Sequence, residues 1–468
     1  MVRFVKLRRF GLRSATLGMT VVGMTTGVLL LVLFLLLQGK LPAQGAAREM
    51  AAEQTLPSGT LASSAISETV VGDAAVAPNR AAKISYLPLI AQNHNSRLSK
   101  RIGYGATLSP ITRYPAIRSL NAGWYVNWGV SVNAVRPSGM EYAQMIRVHQ
   151  NIVQTDGCGK YVTADRRICP YVEPHSYSFE PDAATIQAAA RANPGSIWLI
   201  GNEPDRLDWV GFGQDEMLPE LYAVAYKEMR DLIKAADPQA QIAIAGVIQA
   251  TPMRLEYLTK VWDEYKRLYN ADMPVDIWNV HNFILEEVCE KVEKEDGSKE
   301  FTCYGSGVVP GSTARKGSYD GMSWAHTNKD IFHQQIVAFR QWMKDHGQAK
   351  KPLIVSEYGV LYSSVPCRNP IPGGCSDANW VNLQDPQVVQ EFMLWSFDYF
   401  LNTRDCALSE IDDCRLVQRW LWFSLDHVDG SSNQLGNLMD RNSLNLLPAG
   451  QRFKEYTSAN HEALSAGY

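Results

Sequence analysis

The chain has 468 residues, more than the ~250 that one eight-stranded α/β barrel needs. Its net charge at pH 7 is −3, which leaves no broad basic field and argues against nucleic acid as a partner. Aromatic residues make up 10% of the chain, with 12 Trp and 20 Tyr, enough for a large core and for rings that stack on flat ligand faces.

Residues 1–16 form a basic flank (Arg3, Lys6, Arg8, Arg9, Arg13). The segment 17–37 that follows is mostly apolar and, at about twenty residues, long enough to cross a bilayer. A retained anchor is expected, because the apolar core of a signal peptide is shorter, ~7–15 residues. Cleavage near Ala43-Gln44-Gly45, giving a secreted protein, is the alternative. In either case the chain beyond Lys40 is expected outside the membrane, at the cell surface if the anchor stays. Residues 38–101 read as a linker. They are rich in Ala, Ser, Thr and Gly and poor in aromatics as far as 84, so they cannot bury a core, and they carry one short apolar patch at Tyr86–Ala91.

The expected folded domain is 102–468. All eight cysteines lie beyond the apolar segment, in four close pairs: 158–169, 289–303, 367–375 and 406–414. The simplest framework makes each pair a local disulfide, as suits an exported domain. There is no C-x-x-C and no His/Cys ligand cluster, so no zinc site is expected.

Eight strands are predicted in this domain: 122–127, 142–148, 168–172, 197–202, 241–247, 275–281, 353–357 and 419–425. Helical patterns fall at 182–192, 219–236, 253–269, 327–346 and 386–402, and Asp237-Pro238 closes the second of these. Strand alternating with helix implies a parallel sheet, and eight units imply a closed (β/α)8 barrel. The first crossover is shortened: about fourteen residues carrying Pro137, Ser138 and Gly139 have no room for a helix. Long insertions at 286–321 and 361–385 follow the sixth and seventh strands, where loops shape a cleft.

Two strands share one grammar. Ile197–Ile200 is an apolar run that stops at Gly201-Asn202-Glu203-Pro204, and Pro204 cannot continue a ladder. Leu353–Val355 is a second such run, with Glu357 at its end. The C-terminal strand ends are where barrels of this type place chemistry. Two carboxylates there can divide the work of glycoside hydrolysis, one as nucleophile and one as acid and then base. Asn202 is placed to bond a sugar hydroxyl, and His281 to orient Glu357 or touch substrate. Trp128, and one of Trp422 and Phe423, are candidates to face the mouth; Trp128 and Trp422 are taken as the substrate-stacking rings. Tyr358 is expected in the wall, and Asp205 and Asp426 as cap or loop acids. No H-E-x-x-H, G-x-S-x-G or P-loop is present, so metal-dependent, serine-nucleophile and phosphoryl-transfer chemistries have no motif.

The stretches GWYVNWG (123–129), AAARANPGSIWLIGNEPD (188–205), DIWNVHNF (276–283), PLIVSEYG (352–359) and WLWFS (420–424) resemble clan A glycoside hydrolases. They are similar in particular to the glycosyl hydrolase catalytic-core family, which includes the fungal alkali-sensitive-linkage protein and the family 128 endo-β-1,3-glucanases. That family looks similar in its shortened first crossover too. The resemblance implies a retaining glycosidase; with the apolar segment and the cysteines it makes the expected protein an exported enzyme acting on a β-linked polysaccharide, β-1,3-glucan among the candidates, with no cofactor or metal, and a monomer. By resemblance Glu203 is the acid/base, Glu357 the nucleophile, and Asn202 the partner of the hydroxyl beside the reacting carbon. On that assignment Glu203 is expected in a dry pocket near Trp198 or Trp209, its pKa raised, and Glu357 is expected to stay ionised. The chain departs from the family at strand six, which often carries His-x-Tyr. Here the residues are His281, Asn282 and Phe283, and the phenol hydroxyl is missing. A carbohydrate- or wall-binding barrel without turnover is the alternative.

Overall fold

Eight parallel strands close on themselves in the computed structural model. It describes residues 98–466 apart from 109, 154–164, 208–212, 294–298, 320–325, 363–369, 373, 376–379 and 429–432. The basic flank, the apolar segment, nearly all of the linker, Trp209, Cys158 and Cys367 lie outside the described residues. Among the described residues, no helix is long and apolar enough to cross a membrane.

The strands are β1 (Ser99–Gly105), β2 (Ala122–Val126), β3 (Glu141–Tyr142) and β4 (Gln144–Gln150); β5 (Tyr177–Glu180), β6 (Ile197–Asn202), β7 (Gln241–Gly246) and β8 (Trp278–His281) follow. After them come the hairpin β9 (Glu287–Glu293) and β10 (Lys299–Gly305), then β11 (Leu353–Tyr358), the short pair β12 (Pro370–Ile371) and β13 (Gly374–Cys375), and β14 (Arg419–Trp422). The barrel order is β1, β2, β3 running into β4, β6, β7, β8, β11 and β14. Each step is a parallel pairing, and β14 pairs back to β1. Two bridges, Ala243 to Ile277 and Val247 to Val280, join β7 to β8. Strand alternation sorts the side chains. Trp124, Met145, Ile197, Leu199, Ile354 and Leu421 fill the interior, while Trp198, Ile200, Val280, Val355 and Trp422 face the helical layer.

Helices span Ala183–Ala192, Pro219–Ala236, Pro252–Tyr269, Lys329–Asp345, Pro386–Asn402 and Pro448–Ala459. Their starts follow the usual chemistry. Asp182 and Asn328 each accept two backbone N–H bonds, and four of the helices place Pro at the first position, where its missing donor costs nothing. The predicted helix at 219–236 has these bounds, and the final helix was not predicted.

Two expected strands need correction, and the errors cancel. The first barrel strand is Ser99–Gly105, which begins before the expected domain start at 102. Its sequence, SKRIGYG, looks too polar to be buried, yet Arg101 is only 2% exposed. Both guanidinium nitrogens of Arg101 bond Asp412, at 2.6 and 2.7 Å, and one also reaches the Gln418 carbonyl. Residues 168–172, expected as the third strand, make only an antiparallel bridge at Tyr171. Ile168 is 55% exposed there and Cys169 is held in a disulfide, so the apolar run serves a stapled loop. The helix-free crossover at 127–140 carries only a 3-10 turn at Pro137–Gly139. It is therefore the second crossover, and the true first, from 106 to 121, is also built of 3-10 turns. Disulfides 289–303 and 406–414 are formed; the expected 158–169 and 367–375 pairs reach outside the described residues.

Asp412 sits at φ 50°, a conformation that Asn tolerates. Asp412→Asn should therefore keep the backbone while leaving Arg101 buried and uncompensated. Thermal unfolding is expected to report a loss of about 3 kcal/mol.

Candidate active site

The C-terminal ends of β2, β6, β8, β11 and β14 converge on one rim. Along β6, Ile197 and Leu199 point into the barrel, and Glu203, which is 2% exposed, follows just past the strand's end. Glu203 takes φ 51°, a left-handed conformation that costs a non-Gly residue about 1–3 kcal/mol and tends to occur at functional sites. Two bonds hold it: its N–H to the Gly246 carbonyl at 3.1 Å, and the Arg206 N–H to its own carbonyl at 3.1 Å. Glu357 reaches the same rim by a different device. Strict alternation from Ile354, which points inward, would turn Glu357 outward. The register of β11 shifts after Val355 against both neighbouring strands, and the bulge turns Glu357 inward. Tyr358 then points into the wall, as expected, where its hydroxyl lies 3.0 Å from Ser396 Oγ.

The barrel brings Glu203, His281 and Glu357 together, with one ligating atom from each lying within 4.8 Å of the others. His281 Nδ1 is 2.9 Å from Glu203 Oε1. Gly246 on β7 makes this possible, since a Cβ there would lie 2.4 Å from His281 Cδ2. Arg206 Nη1 donates to Glu203 Oε2 at 2.8 Å, and its Nη2 donates to the Gly305 carbonyl at the end of β10. Trp128 Nε1 donates to Glu357 Oε2 at 3.0 Å. Trp128, expected as a stacking platform, thus supplies the hydrogen bond that the missing phenol would have made. Its ring lies over Gly105, where a Cβ would meet it at 2.7 Å, and its edge meets Phe423. Glu203, His281 and Glu357 also form a set of ligand atoms close enough to hold a cation, although Arg206 and His281 already occupy both Glu203 oxygens and Trp128 one of Glu357.

Asn202 is buried beside Glu203. Its N–H bonds Asp215 Oδ2 at 2.8 Å, and its side-chain oxygen has no partner among the described residues. Trp422 is not at the mouth. It is fully buried under the helices, bonds the Gly436 carbonyl through Nε1 and packs on Tyr358 and Phe397. Phe423 takes the place expected for Trp422, against Trp128, Phe283 and His427. Asp426 is a loop acid, as expected; it accepts from Thr107, Leu108 and Tyr114. Asp205 does more. With Glu287 it brackets the buried Arg254, which also bonds the carbonyls of Ser306 and Gly307. This ties the turn after Glu203 to the β9–β10 insertion.

Charge in the site is ordered opposite to expectation. Burial pushes the Glu203 carboxyl up, but Arg206 and then His281 outweigh it and hold the pKa at about 2. Glu357 stands above its ordinary value of 4.5, raised by burial and by the Glu203 charge against the opposing effects of His281 and Trp128. Burial opposes charge on His281, yet Glu357 and the bond to Glu203 leave its pKa raised. The dry pocket expected from Trp198 is not the cause of any of this, since that ring faces the helices. Arg206 and the bulge at Ser356 were not anticipated. Arg206 was visible as the fourth residue of the turn that begins at Glu203, and nothing in the sequence marks the bulge.

No family model matches the chain, and no curated protein matches it. Solved structures it is similar to include glycoside hydrolases. One is a GH128 subgroup VI exo-β-1,3-glucanase from Aureobasidium namibiae: 10% identity, TM-score 0.39, covering 76% of this chain and 96% of that one. Another is GH5_18 from Streptomyces cattleya, at 12% identity and TM-score 0.42, covering 78% and 80%. A third is xylanase 10B from Thermotoga maritima, at 14% identity and TM-score 0.36, covering 79% and 98%.

The Glu203 pair carries a linkage. A carboxyl whose pKa is depressed on folding contributes stability that is present above its ordinary 4.5 and lost as pH falls toward about 2. Arg206→Met should raise the Glu203 pKa, because burial then acts with less opposition. Trp128→Phe should move Glu357 further up. Carboxyl-carbon NMR titration of the two variants reads both shifts directly.

Proposed function

We propose that the chain is a retaining glycoside hydrolase acting on a β-linked polysaccharide, with β-1,3-glucan the first polymer to test. The observation that carries this is the pair of glutamates at the ends of β6 and β11, with carboxyl oxygens within 4.8 Å across one mouth. A spacing of about 5–5.5 Å between carboxyl groups suits double displacement, whereas inversion needs roughly 6.5–9.5 Å to seat a water.

In this reading Glu357 attacks the anomeric carbon. Trp128 fixes its Oε2 and stabilises the ionised form. Glu203 protonates the leaving oxygen and then activates water. For that, Glu203 must gain a proton that Arg206 now disfavours. Sugar binding that draws Arg206 off Oε2 would leave burial as the dominant influence and lift the Glu203 pKa toward the range an acid needs. His281, bonded to Glu203 and easier to protonate than a free imidazole, is the nearest store for that proton. Asn202, with its unpartnered oxygen, is placed to accept a bond from a sugar hydroxyl, an interaction that can tighten as the transition state forms. Trp128 and Phe423 give the mouth an aromatic side. The apolar segment 17–37 would tether the barrel at the cell surface, reached through the linker.

The Arg206–Glu203 ion pair also favours a second reading, a glycan-binding barrel whose acid is locked in a structural bridge. Reducing-sugar release by the full chain on β-1,3-, β-1,4- and mixed-linkage glucans, xylan and galactan separates the two. Activity on one polymer is expected. Glu203→Gln should lower it by about 10²–10⁴-fold yet spare much of the first step on an aryl glycoside whose leaving group needs no proton. Glu357→Gln should abolish both. Binding without turnover, unchanged by either substitution, would replace the glycosidase with the binding barrel.

A further inference from the structure

Beside the turn that follows Glu203, the β9–β10 insertion and the 165–171 loop enclose a cavity of about 350 Å³. Leu207 forms one wall, packed on Cys289, Cys303, Val308 and Phe301. Arg167 and Arg315 approach the Phe301 ring from two separate segments, their guanidinium carbons 5.8 and 5.2 Å from its centre. A guanidinium lying over an aromatic ring keeps its N–H edge free for bidentate bonds to a planar anion. Arg315 is exposed and has no carboxylate or carbonyl acceptor among the described residues. Arg167 is already forked onto Asp165 through Nε and Nη2, and Asp165 lines the same cavity; Arg167 therefore adds nearby positive charge, and Arg315 presents the open N–H edge. Arg166, in the same wall, is committed to the buried Glu216. Ser312 and Thr313 add hydroxyls.

We infer that this cavity is a subsite for an acidic sugar residue, whose carboxylate or ester sulfate is bound by Arg315. The volume lies at the low end for small-ligand pockets, which suits one or two sugar rings and not a long segment of polymer. Its place along a glycan rests on the glycosidase reading. Leu207 is four residues from Glu203, and four residues of chain cannot span more than about 14 Å. Arg206 lies between them, bonded to both Glu203 and the insertion. The substrate class then narrows to β-linked polysaccharides that carry acidic residues or branches.

Calorimetric binding to full-length Glu357→Gln protein tests this without requiring turnover. The probes are short oligouronates, a sulfated oligosaccharide, and neutral oligosaccharides of the same length. An acidic probe should bind at least tenfold more tightly than its neutral counterpart, and the preference should fade as salt rises. The arm that binds names the anion. Arg315→Gln should remove about a factor of ten from that affinity and leave cleavage of a neutral aryl glycoside by otherwise native protein unchanged. Equal affinity for acidic and neutral probes, or an Arg315→Gln variant that keeps the full preference, would overturn the subsite. Acidic-probe binding with no hydrolysis of any polymer would instead leave the subsite standing and remove the glycosidase.

Discussion

A buried carboxylate and a half-buried one cannot stand within 4.8 Å of one another unless something compensates their charge. Here the compensation is lopsided. Arg206 and His281 both serve Glu203, and Glu357 receives one neutral donor, Trp128. The proton in the pair is therefore pushed toward Glu357 or held on His281. The rest of the mouth can be understood as the scaffolding for this asymmetry. Gly246 gives the imidazole room, Gly105 lets Trp128 lie down, and the left-handed turn at Glu203 brings Arg206 back onto its carboxylate.

The insertion after β8 is part of the same construction. Its hairpin is stapled across the strands by Cys289–Cys303. It is anchored below by Arg254, whose five donors meet Asp205, Glu287 and the carbonyls of Ser306 and Gly307. One end of the hairpin, Gly305, accepts from Arg206. A decorated loop is thus fastened to the carboxylate turn by two arginines at once. Burying Arg254 would be costly without such full satisfaction, and because it is satisfied the insertion and the acid residue keep one geometry.

Much of this was legible in the chain. The alternation of apolar runs and helical periods implied a (β/α)8 barrel, and the run–Gly–Asn–Glu–Pro and run–Ser–Glu patterns marked two glutamates at the ends of strands, though not which way the second one turns. The expectation for Tyr358 followed from alternation alone. The choice between Trp422 and Phe423 did not. They are adjacent, one must face each way, and only the packing of Trp422 beneath Gly436 and Phe397 decides which. Strand β1 escaped notice because its buried Arg101 is neutralised by Asp412, more than three hundred positions away.

The sequence by itself determined the elements and the residue types at their ends, because local periodicity and Gly/Pro punctuation are short-range properties. Tertiary structure decided the electrostatics. Whether Glu203 is an easy or a hard acid depends on Arg206 folding back and on His281 arriving from a strand 78 positions on. Whether Glu357 faces the mouth depends on a one-residue bulge that no local pattern announces. A side chain's charge state is set by what lies within a few ångströms of it, and only the closed barrel brings those neighbours there.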